Sequence, residues 1–257
     1  MKYLFNEIAT IQKKITQAKR VAALFDFDGT LAKIVKRYED ASLLPESRRE
    51  LSKLSLHLPV VVISGRSLSY VKRKIGIGSV GYFGNHGLEW ELNGQKGNAT
   101  ISESKRRAVR EAKRLLLTVL RQYPMGVIED KTITVTLHYR RVPRHQQKKI
   151  IEAAAEVLSP LLKKGLIVIT RGKKVFEVRP AYAWDKGVAA KLFLRKVGPS
   201  VLPLYIGDDK TDEDAFRALH KGITIRVRKS VRSAAQYYVK NQSEVLLVLK
   251  YCNENFF

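Results

Sequence analysis

Two aspartates separated by one residue stand at the end of an apolar run: Asp26-Phe27-Asp28-Gly29-Thr30 follows Val21-Ala22-Ala23-Leu24-Phe25. Alternation along an extended chain puts both carboxylates on one side. Gly29 lets the chain turn away behind them. Acids at a strand-end turn are common, but two of them two apart at the end of a buried strand and followed by Gly-Thr make a narrow pattern. A second acid-rich segment, Gly207-Asp208-Asp209-Lys210-Thr211-Asp212-Glu213-Asp214, closes the apolar run Val201–Ile206. Five of the seven residues from 208 to 214 are acidic, in a chain with only 24 acids. A helix start favours acids, which accounts for Glu213 and Asp214 but not for Asp208 and Asp209 at a strand end. Acids from two strand ends make an oxygen-rich site for a hard cation such as Mg²⁺. Ser64 follows Val60-Val61-Val62-Ile63. It serves as a helix N-cap or, at the same helix start, as a phosphate ligand. Lys186 in Asp185-Lys186-Gly187 precedes another helical run, but as one of 48 basic residues it reads equally well as a solvated cation.

These residues need a scaffold that brings strand ends together. The runs 21–25, 60–63 and 201–206 are short, apolar and bounded by glycine or acids, as in buried parallel strands. Helical spacing is found over 5–20, from Pro45 to Leu56, from Ser67 to about Lys74, over 186–197 and over 243–249. Residues 80–92 hold a strand, a glycine-rich turn and a hairpin with Asn93-Gly94 at its tip. The pattern then changes to helix 103–122, strands 127–131 and 132–140, helix 145–158, and strands 166–170 and 174–178. Ile133, Val135, Leu137 and Tyr139 alternate with Thr132, Thr134, Thr136 and His138, so one face is covered and one open. After Pro180 the buried-strand style returns, with strands at 201–206 and 223–227. The reading is one α/β domain interrupted by an inserted α+β module: 1–97 first part of the core, 98–178 the insertion, 179–257 the rest of the core. In a parallel sheet the carboxyl ends of the strands carry the site, which is where all four chemical segments fall.

Asp26-Phe27-Asp28-Gly29-Thr30, Ser64, Lys186 and Gly207-Asp208-Asp209 resemble, in order and strand position, the four signature motifs of haloacid dehalogenase-like (HAD) phosphatases. Gly84-Asn85-His86-Gly87-Leu88-Glu89, Glu129-Asp130-Lys131, His138-Tyr139-Arg140 and Glu177-Val178-Arg179-Pro180 further resemble trehalose-6-phosphate phosphatases, as does the run from Gly207 to Phe216. The resemblance covers nearly the whole chain. Trp184, before Asp185-Lys186-Gly187, and the N-terminal helix depart from it. It implies a Rossmann-like core with a C2-type αββαββ cap that closes over the site and excludes water. It implies Asp26 as nucleophile forming an aspartyl-phosphate, Asp28 as general acid and base, and Ser64 and Lys186 as phosphoryl ligands. Mg²⁺ is then held by Asp26, the Asp28 carbonyl and Asp208, with Asp209 placed among the metal residues and either Asp209 or Asp212 bonding metal-bound water. Substrate contacts fall to Arg66, Asn85, His86, Glu129, Lys131, Arg140 and Glu177. Glu129 and Lys131 share strand parity, Glu177 points opposite to Phe176 and Val178, and Arg140 continues the polar side of Thr134, Thr136 and His138. Asn85 and His86 read equally as turn residues satisfied by backbone. The implied substrate is trehalose 6-phosphate; sucrose phosphate and mannosyl-3-phosphoglycerate suit the same fold.

Composition narrows the alternatives. The chain has 257 residues, one cysteine, and 48 basic against 24 acidic side chains, net +24. One cysteine excludes an internal disulfide framework and any multi-cysteine metal site. No apolar run reaches the roughly 20 residues of a membrane span, and no signal-peptide core follows the first lysines. The expectation is a cytoplasmic protein without membrane contact, and a monomer. The positive charge fits a nucleic-acid partner, but it is spread along helices rather than gathered in a block or tail. A binding role also needs none of Asp26, Asp28, Lys186 and Asp208 together, so nucleic acid is disfavoured.

Overall fold

A computed structural model describes residues 1–35, 37–172 and 174–255, without the side chain of residue 38. The strands are β1 (Lys2–Tyr3), β2 (Arg20–Phe25), β3 (Val60–Ile63), β4 (Val80–Gly84), β5 (Glu89–Leu92), β6 (Gln95–Asn98), β7 (Val127–Asp130), β8 (Val135–His138), β9 (Ile167–Gly172), β10 (Val175–Pro180), β11 (Val201–Gly207), β12 (Ile223–Val227) and β13 (Tyr237–Val239). The helices are α1 (Ile8–Gln17), α2 (Pro45–His57), α3 (Leu68–Ile75), α4 (Glu103–Leu120), α5 (Gln147–Lys163), α6 (Lys186–Val197), α7 (Asp212–Ala218) and α8 (Ser243–Asn255). They form two compact units, residues 1–98 with 184–257, and residues 99–183.

The first unit holds a nine-stranded sheet in the order β1-β13-β12-β11-β2-β3-β4-β5-β6. The strands from β1 to β4 in that order pair in parallel, and β5 and β6 add an antiparallel hairpin. Alternate residues of the buried strands feed opposite layers. Ala23, Phe25, Val62, Ile206 and Ile225 pack with Ile11, Ile15, Leu54, Val71, Val245 and Leu249 of the helices on one face. Leu24, Val61, Ile63 and Tyr205 pack with Ala189, Phe193 and Phe216 on the other. The two faces explain why these strands read as unbroken apolar runs. Asn93 (φ 49°) and Gly94 (φ 76°) are both left-handed, as a two-residue primed turn requires.

The second unit is an antiparallel sheet, order β7-β8-β10-β9, with α4 and α5 supplying its apolar layer. Val135, Leu137, Phe176 and Val178 face Ala112, Leu116, Ile150, Ala154 and Leu158. The order α4-β7-β8-α5-β9-β10 is the αββαββ arrangement. The unit starts at Ala99, because Asn98 pairs with Glu89 in the first unit's hairpin. It runs to Ala183 rather than 178, since β10 continues to Pro180 and the Ala181 amide bonds the Leu166 carbonyl. Strand β8 is shorter than the 132–140 alternation suggests. Thr132 is left-handed (φ 68°) and its amide bonds Asp130 Oδ1, so 131–134 is a turn. Among the described residues no helix is long and apolar enough to cross a membrane.

Candidate active site

β2 delivers Asp26 to its carboxyl end. The Asp26 amide extends the ladder to the Ile206 carbonyl (2.9 Å), while Phe27 drops into the core. The chain then folds back sharply through Gly29 N to Ala32 O (2.7 Å) and Ala32 N to Phe27 O (2.8 Å). Gly29 has φ 91°, and a Cβ there would collide with the Asp208 carboxylate. Glycine thus serves both the turn and the approach of β11's acid to β2.

Lys186 is the electrostatic centre. It is the first residue of α6, after Asp185, whose side chain caps the helix by accepting from Val188 N (2.9 Å). Its Nζ donates to Asp26 Oδ1 (2.6 Å) and Asp212 Oδ1 (2.7 Å), with all three groups buried. Burial disfavours the ammonium, but Asp212 and Asp26 outweigh that and raise the lysine pKa well above its ordinary value. One ammonium serving two carboxylates leaves Asp26 under-compensated. Burial raises its carboxyl well above the ordinary range; Lys186 opposes this, while Asp212, Asp208 and Asp209 add to it.

Asp212 organises the β11–α7 loop. Its Oδ2 accepts the amides of Asp208 and Asp209 (2.9 Å each), and its Oδ1 accepts from Lys186 and the Tyr205 hydroxyl (2.7 Å each). The acid-rich loop is therefore tied down by one of its own members. Asp209, which the family resemblance places among the metal residues, is bound within its own loop. Its Oδ1 accepts the amide (2.8 Å) and hydroxyl (2.7 Å) of Thr211. Burial raises its pKa, yet Lys186 and the Thr211 donors prevail and the net shift is downward. The carboxylates that converge are Asp26, Asp208 and Asp212, with one oxygen of each within 4.8 Å of the others. An all-oxygen, buried, acidic donor set is the chemistry that suits a hard divalent cation, so the residues fit Mg²⁺. Asp212 already has four protein donors, which leaves Asp26 and Asp208 as the better ligands.

Asp28 parts company with Asp26. Its two oxygens accept from Arg66 Nη2 and Nε, both at 2.7 Å, a bidentate pair. The Arg66 guanidinium also lies 5.1 Å from the Tyr70 ring centre. Ser64 is buried and is not the helix cap. Ser67 caps α3 by accepting from Tyr70 N (3.4 Å), while Ser64 Oγ accepts Arg66 N (3.1 Å). Asn85 and His86 hold this loop from behind. The Asn85 amide bonds Arg66 O (2.7 Å), the His86 amide bonds Ser64 O (2.8 Å), and Asn85 Nδ2 donates to Glu89 (2.8 Å). Glu89 also accepts Leu68 N (2.7 Å), and burial raises its pKa despite these donors. Asn85 (φ 50°) and His86 (φ 58°) are both left-handed, a conformation that costs about 1–3 kcal/mol each.

In the second unit, Glu129, Thr136 and Glu177 form one row across β7, β8 and β10. Glu177 Oε1 accepts from Lys131 Nζ (2.8 Å), Thr134 (3.3 Å) and Thr136 (3.4 Å), and Glu129 bonds His138 Nε2 (2.8 Å). Arg140 is exposed in the turn after β8. Tyr205 and Arg228 are the site residues that the sequence hides. Tyr205 sits in an apolar strand and reads as core, and Arg228 is one basic residue among 48. Arg228 Nη2 donates to Asp208 Oδ2 at 2.6 Å.

A parallel sheet with an αββαββ insertion, in which the aspartate ending β2 bonds a buried lysine beside the aspartate that follows β11, is the haloacid dehalogenase-like fold. Solved structures of that fold agree. The Candida albicans trehalose-6-phosphate phosphatase C-terminal domain superposes with TM-score 0.82 over 96% of both chains at 24% identity. A haloacid dehalogenase-like hydrolase from Bacteroides thetaiotaomicron gives 0.65 over 90% of this chain and 98% of that one, at 14% identity. The chain belongs to the trehalose-phosphatase family, whose profile matches residues 24–245. It is 29% identical to trehalose-phosphate phosphatase B of Arabidopsis thaliana, over 94% of this chain and 67% of the plant protein. It is accordingly a phosphoric monoester hydrolase.

Proposed function

We propose that the chain hydrolyses trehalose 6-phosphate to trehalose and phosphate through an aspartyl-phosphate on Asp26, with Mg²⁺ as cofactor. The observation that carries this reading is the buried contact of Lys186 with Asp26 beside the Asp208 carboxylate, at the ends of adjacent parallel strands. Phosphate monoesters are among the slowest esters to hydrolyse, and splitting the reaction into two displacements lowers the barrier of each. Asp26 attacks phosphorus through a carboxylate oxygen as the bond to the sugar oxygen breaks. Asp28 supplies the proton to that leaving oxygen. In the second displacement Asp28 takes a proton from water, which attacks phosphorus and releases Asp26. For either transfer the Arg66 pair must open. Lys186 and the Ser64 hydroxyl hold phosphoryl oxygens and stabilise charge developing there. Asp26, Asp208 and the Asp28 carbonyl would hold Mg²⁺, with Asp212 fixing the loop that carries Asp208. When bound, the ion supplies positive charge to the phosphoryl oxygens. Sugar hydroxyls are assigned to Glu129, Lys131, Arg140 and Glu177; Asn85 and His86 are assigned to shaping the Ser64–Arg66 loop.

Phosphate release from a panel of sugar phosphates, with and without chelator, tests the reading. Trehalose 6-phosphate is expected to exceed sucrose phosphate and mannosyl-3-phosphoglycerate by at least about tenfold in kcat/KM, since one unpaired buried polar group costs about 1–3 kcal/mol. Chelator should abolish turnover and added Mg²⁺ restore it. Equal rates across the panel would overturn the substrate, and full activity in excess chelator would overturn the cation.

A further inference from the structure

Arg228 follows β12 with φ 72°, a left-handed backbone that bulky side chains rarely adopt. Its amide bonds Val239 O (2.8 Å), which fixes that conformation between β12 and β13. The guanidinium reaches Asp208 Oδ2 at 2.6 Å. The pair is lopsided: the arginine side chain is 52% exposed and the aspartate side chain 2%. A half-solvated cation thus neutralises a buried carboxylate that the catalytic scheme assigns to the divalent ion. Lys186 is already committed to Asp26 and Asp212, and Arg226 to Glu213 and the Asp209 carbonyl.

We propose that Arg228 is a built-in counter-cation that sets the divalent-ion affinity of the site. Its charge stabilises Asp208 while no ion is bound, and any entering cation works against it. The three converging carboxylates and Lys186 sum to a net −2; Arg228 brings this to −1. A strained residue at this position gains its place by the charge it delivers, since glycine or asparagine would fit the backbone better. The inference rests on the cation site proposed above.

Isothermal titration with Mg²⁺ alone, without substrate, tests it in Arg228→Asn, Arg228→Gly and Arg228→Lys. Asn and Gly accept the left-handed backbone and remove the charge; Lys keeps the charge and the strain. The Asn and Gly variants are expected to bind Mg²⁺ about tenfold more tightly, as removal of one charge several Å away across partly solvated protein implies. Their melting temperatures should rise more on Mg²⁺ addition than that of the parent, while Lys stays within about twofold of parental affinity. If the parent binds Mg²⁺ and the Asn and Gly variants bind it equally or more weakly, the counter-cation role is wrong. If the parent binds no divalent ion, the cation site itself is wrong. Should Asn fail to fold, Gly against Lys decides the question.

Discussion

Asp26 and Asp28 show how two identical side chains, two residues apart, acquire different chemistry. Asp26 is buried against one shared ammonium, and Asp28 is gripped at both oxygens by Arg66. Asp26→Asn removes the proposed nucleophile without changing the volume. It also removes one carboxylate from a crowded acidic cluster, so Asp212 is then the one carboxylate bonded to Lys186. The variant is expected to lose kcat by about three orders of magnitude or more while its melting temperature stays level or rises. Steady-state assays beside a thermal melt check both. Retained turnover would mean that another group attacks phosphorus, and a collapsed melt would mean that Asp26 is chiefly structural. The sequence showed both acids, and their neighbours in the chain gave the strand that carries Asp26. It could not show Arg66 as the partner of Asp28, because a guanidinium 38 residues away carries no spacing signal.

At the scale of elements, the central strands were legible because burial on both faces leaves an apolar run that local composition cannot hide. The short edge strands were not. β1 has two residues and β13 three, and each exists through its partner's hydrogen bonds rather than its own pattern. The last helix was expected to stop at Leu249 but continues to Asn255, because Cys252 packs into the layer shared with Ile15 and Leu54. Burial there pushes the Cys252 thiol up to about 12. An unfolded thiol ionises near 9, so between about pH 9 and 12 the unfolded chain has lost a proton that the folded chain keeps. Stability therefore falls as pH rises through that window. The stability advantage of the parent over Cys252→Ala is expected to shrink from about pH 8 to 10 in urea titrations, and a constant difference would refute the shift. The turn after β2 offers a sharper test. Gly29→Ala must place a Cβ at φ 91° against Asp208. It should cost at least about 1–2 kcal/mol of stability for the backbone alone and depress phosphatase activity more than overall stability explains. Unchanged activity would show that the β2 and β11 ends need not approach so closely.

For the whole molecule, charge is the property that the fold does not explain. Residues 98–178 carry 18 basic and 7 acidic side chains, and the rest of the chain 30 and 17. Per residue the inserted segment is the more basic. Part of this charge lies on the exposed side of α4, where Arg107, Arg110 and Arg114 recur at helical spacing, with Arg121 just past its end. Glu103 lies within ion-pair distance of Arg107 and Arg110, but exposed pairs of this kind contribute little to stability. The surplus therefore acts as a field rather than as a set of bonds. A sugar phosphate carries negative charge, and a positive field raises its encounter rate without changing the chemical step. Salt screens such a field over about 10 Å at 0.1 M. The expected result is a kcat/KM for the sugar phosphate that falls severalfold from low to physiological ionic strength, with kcat nearly constant. A neutral-charge competitor such as free trehalose should inhibit equally at all salt concentrations, because steering does not act on it. If kcat/KM is flat while a viscosity dependence shows that encounter limits it, the field does not guide substrate. Tight binding of DNA or RNA that survives physiological salt would then assign the surplus to a polyanion instead.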